Sequence, residues 1–220
     1  MGRLRWFFTK LWRTALRRGG GFAQSEASPR ASSLTTRWET QWPGSEPMGD
    51  MLRERNIERW VRFHSLPGSK RYATTGEEKG EILRRNHILL EDLVGLSEEP
   101  KIRVIGEDFD VNDFSSGQLK KHLPGAWPWR TYLDPDDDAP AATGNFRYFW
   151  VSSIESVDEL DGLLALVADD VIRFIVTDTD MTWIFAPYDG GTDVFLPTTS
   201  VRNEFRAQHQ SWLSGRADGL

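Results

Sequence analysis

The sequence predicts an α+β domain: a small, mostly antiparallel sheet with helices packed on one face. Three observations carry that expectation. Two apolar runs open on Ser or Thr followed three residues later by Glu, the capping-box pattern of a helix start. A strand, helix, strand series is followed by two short apolar runs around an Asp-Gly pair, which is a hairpin signal. The composition is globular, with 39% hydrophobic and 27% charged residues, ten Trp and twelve Phe in 220 residues, enough to bury a core without metal or disulfide staples.

Residues 1–47 stand apart from the rest of the chain. Met1 to Arg18 is basic and aromatic and reads as one short amphipathic helix. As a secretory signal it fails, because Lys10 and Arg13 interrupt the apolar run. It has the ingredients of a membrane-surface helix, with Arg and Lys interleaving Trp6, Phe7, Phe8, Leu11 and Trp12. The favoured reading is an extension outside the folded domain, with translation beginning at Met48 or Met51. Gly19 to Pro47 is rich in Gly, Ser, Pro and Thr without periodicity, so it is expected to be disordered. The folded domain is accordingly expected over residues 48–220.

From Met51 the pattern is orderly. Leu52, Asn56, Ile57, Trp60, Val61 and His64 fall at helical spacing and predict a helix that ends before Pro67-Gly68. Thr75 and Glu78 open a second helix, carried by Ile82, Leu83, Asn86, Leu89, Leu90, Leu93 and Val94 as far as Gly95. Lys101 to Gly106 reads as a strand. Glu107 to Asn145 reads as irregular because of its prolines, with an exposed acidic loop at Asp134 to Pro140. Phe146 to Ser152 is a strand, Ser156 and Glu159 open a helix to about Ala168, and Val171 to Thr177 is the most strand-like run in the chain. Thr182 to Ala186 and Asp193 to Leu196 then flank the hairpin turn, and Val201, Phe205, Gln208 and Trp212 predict a final helix.

Charge and cysteine usage narrow the function classes. Residues 1–47 carry eight Arg or Lys against three Glu, which leaves nineteen basic and thirty acidic side chains in the body. A body this acidic is a poor generic binder of nucleic acid, since neutralising phosphate needs a basic face. With no cysteine there is no disulfide framework, thiolate nucleophile, Cys-ligated zinc or iron–sulfur cluster. No apolar run reaches twenty residues, so no membrane span is expected, and the location expected is cytoplasmic.

The dinucleotide, P-loop, zincin and nucleophile-elbow motifs are all absent from the sequence. His64, His87, His122 and His209 are at least 23 positions apart, and nothing in that spacing predicts a metal site. Asp136 to Asp138 lack the spaced ligands and closing Glu of a calcium loop. No cofactor and no metal is expected.

Two segments are distinctive. Arg62 to Tyr72 gathers one imidazole, two hydroxyls and three cations around a turn, the materials for binding carboxylate or phosphate; the plainer reading is a helix end offset by Arg and His. Trp183 to Asp193 offers Asp189 and Asp193 as a carboxylate pair beside glycines that let a ligand approach. The plainer reading there is a tight turn, with Asp189 bonding the turn backbone and glycine at positive φ.

Four stretches carry a family resemblance: RWVRFHSLPGSKRY at Arg59 to Tyr72, ILRRNHILL at Ile82 to Leu90, PYDGGTDVFLP at Pro187 to Pro197, and WLS at Trp212 to Ser214. Together they resemble an uncharacterised bacterial family of hypothetical proteins, a domain of unknown function, over about Met51 to Leu220. The resemblance implies a real folded domain and supplies no mechanism.

The leading functional expectation is a non-catalytic interaction protein, of the immunity or accessory kind, whose acidic body grips a basic protein partner. The alternative is a small-molecule binder or enzyme using His64, Arg71, Tyr188, Asp189 and Asp193. It requires the turn before Tyr72 and the Pro187 to Asp193 hairpin to meet at one concave site.

Overall fold

The computed structural model describes residues 24–25, 28–99, 101–108, 119–123, 125–133 and 146–214. The basic stretch 1–18 and the acidic run 134–140 lie outside the described residues. Strands are β1 (Gln24–Ser25), β2 (Trp60–His64), β3 (Ile102–Asp108), β4 (Trp127–Leu133), β5 (Phe146–Ile154), β6 (Arg173–Asp178), β7 (Ile184–Tyr188) and β8 (Gly191–Phe195). Helices are α1 (Pro29–Gln41), α2 (Gly49–Arg55), α3 (Gly76–Val94), the single turn α4 (Leu119–His122), α5 (Asp161–Ala168) and α6 (Thr199–Gln208). The strands form one sheet in the order β1-β4-β5-β3-β6-β7-β8-β2, and every neighbouring pair is antiparallel.

Alternation along the strands builds two cores. Val61 and Phe63 of β2, Ile102 and Val104 of β3, and Phe174 and Val176 of β6 point to one face, against Leu89, Leu90 and Leu93 of α3, Leu163 and Leu164 of α5 and Phe205 of α6. Their alternates, Ile105, Phe149, Val151, Ile175, Ile184 and Phe195, point to the other face, against Ala31, Leu34 and Trp38 of α1 and Leu52 of α2. Cover on both faces buries β3, β6, β7 and β8 along nearly their whole length, polar positions such as Glu107, Thr177 and Asp193 included.

The expected α+β architecture and antiparallel sheet are present, with α3, α5 and α6 as the expected helical layer on one face. Thr75 caps α3 by accepting from the Glu78 N–H at 3.2 Å, while the Glu78 carboxylate reaches back to the N–H of Thr74 rather than of the cap itself. Ser156 and Glu159 form the full capping box, although the turn they open, Val157–Leu160, is 3₁₀ before α5 begins.

Three expectations are corrected. The segment before Met48 is ordered from Ser28 onward and supplies a second helical layer with α2 on the opposite face. Ser28 caps α1 by accepting from the Ala31 N–H at 3.1 Å, and Pro29 sits in the first turn, where its missing N–H costs nothing. Trp38 and Trp42 are fully buried, and their indole N–H groups donate to the carbonyls of Ser45 at 2.8 Å and Met181 at 2.7 Å.

The helix expected over Leu52 to His64 stops at Arg55, and Trp60 to His64 is strand β2. The helical spacing there is coincidental: Ile57, placed on the apolar stripe, is 54% exposed, while Trp60, Val61 and Phe63 alternate across the sheet. Within the region read as irregular, Trp127 to Leu133 is strand β4, and Pro128 is tolerated because the register with β5 shifts there.

Truncating a Trp in the second core is expected to be severe. Trp42→Ala should cost about 3–5 kcal/mol in urea unfolding, whereas Thr36→Ala on the exposed face of α1 should stay within about 0.5 kcal/mol.

Candidate functional site

Pairing of β2 with β8 sets Trp60 opposite Phe195, Arg62 opposite Asp193 and His64 opposite Gly191. The four stretches quoted from the sequence converge on that edge. From α3, the Arg85 guanidinium donates to the His64 carbonyl at 2.8 Å, and Asn86 accepts from the Thr192 hydroxyl at 2.8 Å. Leu213 bridges to Phe63, and Trp212 lies beneath the guanidinium of Arg85 at 5.3 Å.

Arg62 is clamped to Asp193 by two hydrogen bonds, from Nε at 2.7 Å and from the terminal nitrogen at 2.9 Å. This fork-to-fork pairing is the strong geometry for a guanidinium and a carboxylate. At the hairpin tip Asp189 accepts from Arg71 Nε at 2.8 Å, and the Gly190 carbonyl accepts from the Ser65 N–H at 3.4 Å. The turn that carries Arg71 and the 187–193 hairpin therefore touch.

Neither glycine of the tip has the positive φ expected of a tight turn, and Gly191 is required by close approach instead. A Cβ on Gly191 would collide with the Phe63 carbonyl oxygen and lie 2.8 Å from the Tyr188 hydroxyl; one on Gly190 would lie 3.1 Å from the Arg71 stem. Nor does Asp189 serve mainly the turn, since its carboxylate holds Arg71.

The hairpin forms one wall of a cleft of about 300 Å³ between the sheet, the 47–53 segment and the loop after α5. Arg53, Arg62, Arg71, Arg147 and Arg173 line it together with Asp50, Glu107, Asp170, Asp189 and Asp193. Sheet register explains the gathering. Asp193, Tyr188, Arg173, Glu107 and Arg147 share the face of Arg62; Tyr188, Arg173, Glu107 and Arg147 lie toward one end of their strands, and Asp193 sits mid-strand opposite Arg62. Of the sequence candidates, Arg71, Tyr188, Asp189 and Asp193 line the cleft, and His64 does not. Burial, then Arg62 and Arg85, hold the His64 imidazole below its ordinary value.

Sequence reasoning missed Arg53, on helix α2, and Glu107, Arg147 and Arg173, which lie on strands whose adjacency comes only from the strand order. Glu107 is almost fully buried and paired to Arg147, yet burial outweighs that arginine and raises its pKa above the usual carboxylate range. Arg53 stands 3.8 Å from Asp193, too far for a hydrogen bond, so its donors remain for another acceptor.

Tyr188 lines the cleft beside Asp189. Burial, the opposing pull of Arg62, and the carboxylates of Asp193 and Asp189 push its phenol up to about 12, so it stays protonated at neutral pH. The Arg62 guanidinium lies 4.9 Å from the ring centre, and the hydroxyl, unpaired among the described residues, reaches solvent. Among the described residues no group of three or more His, Asp or Glu converges in a way that could hold a metal ion, and no helix is long and apolar enough to cross a membrane.

The chain belongs to the family described as Domain of unknown function (DUF3885), which matches residues 48–217. Helix α1 precedes the matched region, although Trp38 and Trp42 pack into its core. No curated protein and no solved structure matches the chain.

The turn before α3 is fastened by Lys70, which donates to Glu78 at 2.5 Å and to the Thr74 hydroxyl at 2.9 Å. The Lys70 hydrogen bond, and then the Thr74 N–H, lower the Glu78 pKa from 4.5 to about 2. A lowered carboxylate pKa contributes stability above 4.5 that is lost as the pH falls toward 2. The melting temperatures of wild type and Glu78→Gln should therefore differ at pH 6 and converge toward pH 2, with added salt shrinking the difference because the pair is partly open to solvent.

Proposed function

We propose that this protein is a small-molecule-binding domain whose cleft holds a polar anionic ligand, a phosphate or carboxylate compound. The observation that carries this reading is the gathering of Arg53, Arg62 and Arg71 with the neutral Tyr188 phenol around one concavity of about 300 Å³. Guanidinium and phenol donors that face one concavity match the acceptor oxygens of a phosphate or carboxylate.

The carboxylates of the cleft support it from behind. Asp193 and Asp189 accept from Arg62 and Arg71 and fix those planes, while each guanidinium has five donors and spends only one or two on its carboxylate. Arg53 adds donors from the opposite wall. With five arginines facing five carboxylates, recognition depends on aimed hydrogen bonds more than on net charge, so salt should weaken binding only modestly.

A second reading keeps the acidic surface as an interface. Glu155, Asp158, Glu159, Asp161, Asp169 and Asp170 are exposed along α5 and its flanking turns, and they favour a non-catalytic role against a basic protein partner.

The ligand reading is tested by thermal denaturation with inorganic phosphate, pyrophosphate, citrate and ribose 5-phosphate. A compound that binds should stabilise by about 2.7 kcal/mol at a hundred times its Kd, a shift of several degrees. Tyr188→Phe and Arg53→Gln should fold normally and lose most of that shift. No shift from any of the four compounds would contradict the reading.

A further inference from the structure

A second concavity of about 280 Å³ lies beside the arginine cleft, between α3 and α5. Its walls are apolar: Ile82 and Leu83 from α3 face Ala165 and Ala168 from α5, and Tyr72 stands at the mouth. The small alanines are what leave the groove open. One ion pair crosses its rim, Lys79 to Asp169 at 3.6 Å, and both partners are well exposed.

The two concavities share their dividing walls. In the extended turn before α3, Arg71 borders the cleft and the next residue, Tyr72, borders the groove. Where α5 ends, Val167 and Asp170 border the cleft while Ala168 and Asp169, between them, border the groove. The partition is thus a saddle of two short segments. Both carry large apolar side chains out in solvent, Tyr72 at 55% and Val171 at 58% exposure, where water gains nothing from them.

We propose that the ligand is an amphipathic anion, with its charged head in the arginine cleft and an aliphatic tail laid over the Tyr72 saddle into the α3–α5 groove. This rests on the ligand reading of the cleft and adds the chemical class. A head group held by guanidinium and phenol donors leaves its substituent pointing out of the polar concavity, and the adjoining surface is apolar. A tail placed there removes from water the groove walls and the exposed ring of Tyr72 together.

Isothermal titration of the full chain with n-alkyl phosphates from methyl to octyl, below their micelle-forming concentrations, separates the two claims. Binding should tighten by up to about fourfold for each added methylene until the groove is filled, then level off. Ala168→Glu, and independently Leu83→Gln, should leave the affinity for methyl phosphate unchanged and flatten the dependence on chain length. Binding of the series with no chain-length dependence in wild type overturns the amphipathic ligand while leaving the anion cleft standing. A chain-length dependence untouched by both variants also overturns it, since the tail then lies elsewhere. Failure of every member to bind overturns the cleft reading itself and this inference with it.

Discussion

The antiparallel pairing of β2 with β8 is the constraint on which the rest depends. It joins segments 131 positions apart in the chain and fixes Arg62 against Asp193 at 2.7 Å. Everything distinctive hangs on that ladder. The hairpin tip is placed by it, Tyr188 is held against Arg62, and α3 is tied to both strands through Arg85 and Asn86. Gly191 has no side chain because the Phe63 carbonyl already occupies that space across the ladder.

The sheet face that forms the cleft is divided along its strands. Toward one end it carries Ile105, Ile184 and Phe195 beneath α1 and α2; toward the other it carries Asp193, Tyr188, Glu107 and Arg147. Apolar side chains in those positions would form a larger core. Buried ion pairs are often no better for stability than well-packed apolar residues in their place, so packing alone does not call for charge there. This is the physical ground for reading the charged end as a site.

Much of the fold was legible because local signals agreed with tertiary packing. The Thr75 and Ser156 starts, the runs at Lys101 and Val171 and the Asp189-Gly190 turn all lie where propensity and burial favour the same element. The failures have separate causes. Ser28-Pro29 followed by Ala31, Leu34 and Trp38 is a helix start with an apolar stripe, obscured by the Ser and Thr around it. Trp60 to His64 has helical spacing by coincidence, and only its partner strand decides the outcome. For the site, Arg71, Tyr188, Asp189 and Asp193 could be nominated from two unusual segments. Glu107, Arg147 and Arg173 could not, because strand order brings them together and no local pattern encodes it.

The most direct test of the β2–β8 constraint is a double-mutant cycle on Arg62 and Asp193, read by urea unfolding. Arg62→Met and Asp193→Asn should each be strongly destabilising, because each leaves its largely buried partner uncompensated. The double variant should be little worse than either single one, giving a coupling of about 1–3 kcal/mol. Additive losses, with a coupling below about 0.3 kcal/mol, would show that the pair does not hold the two segments together and would contradict the central role given to it.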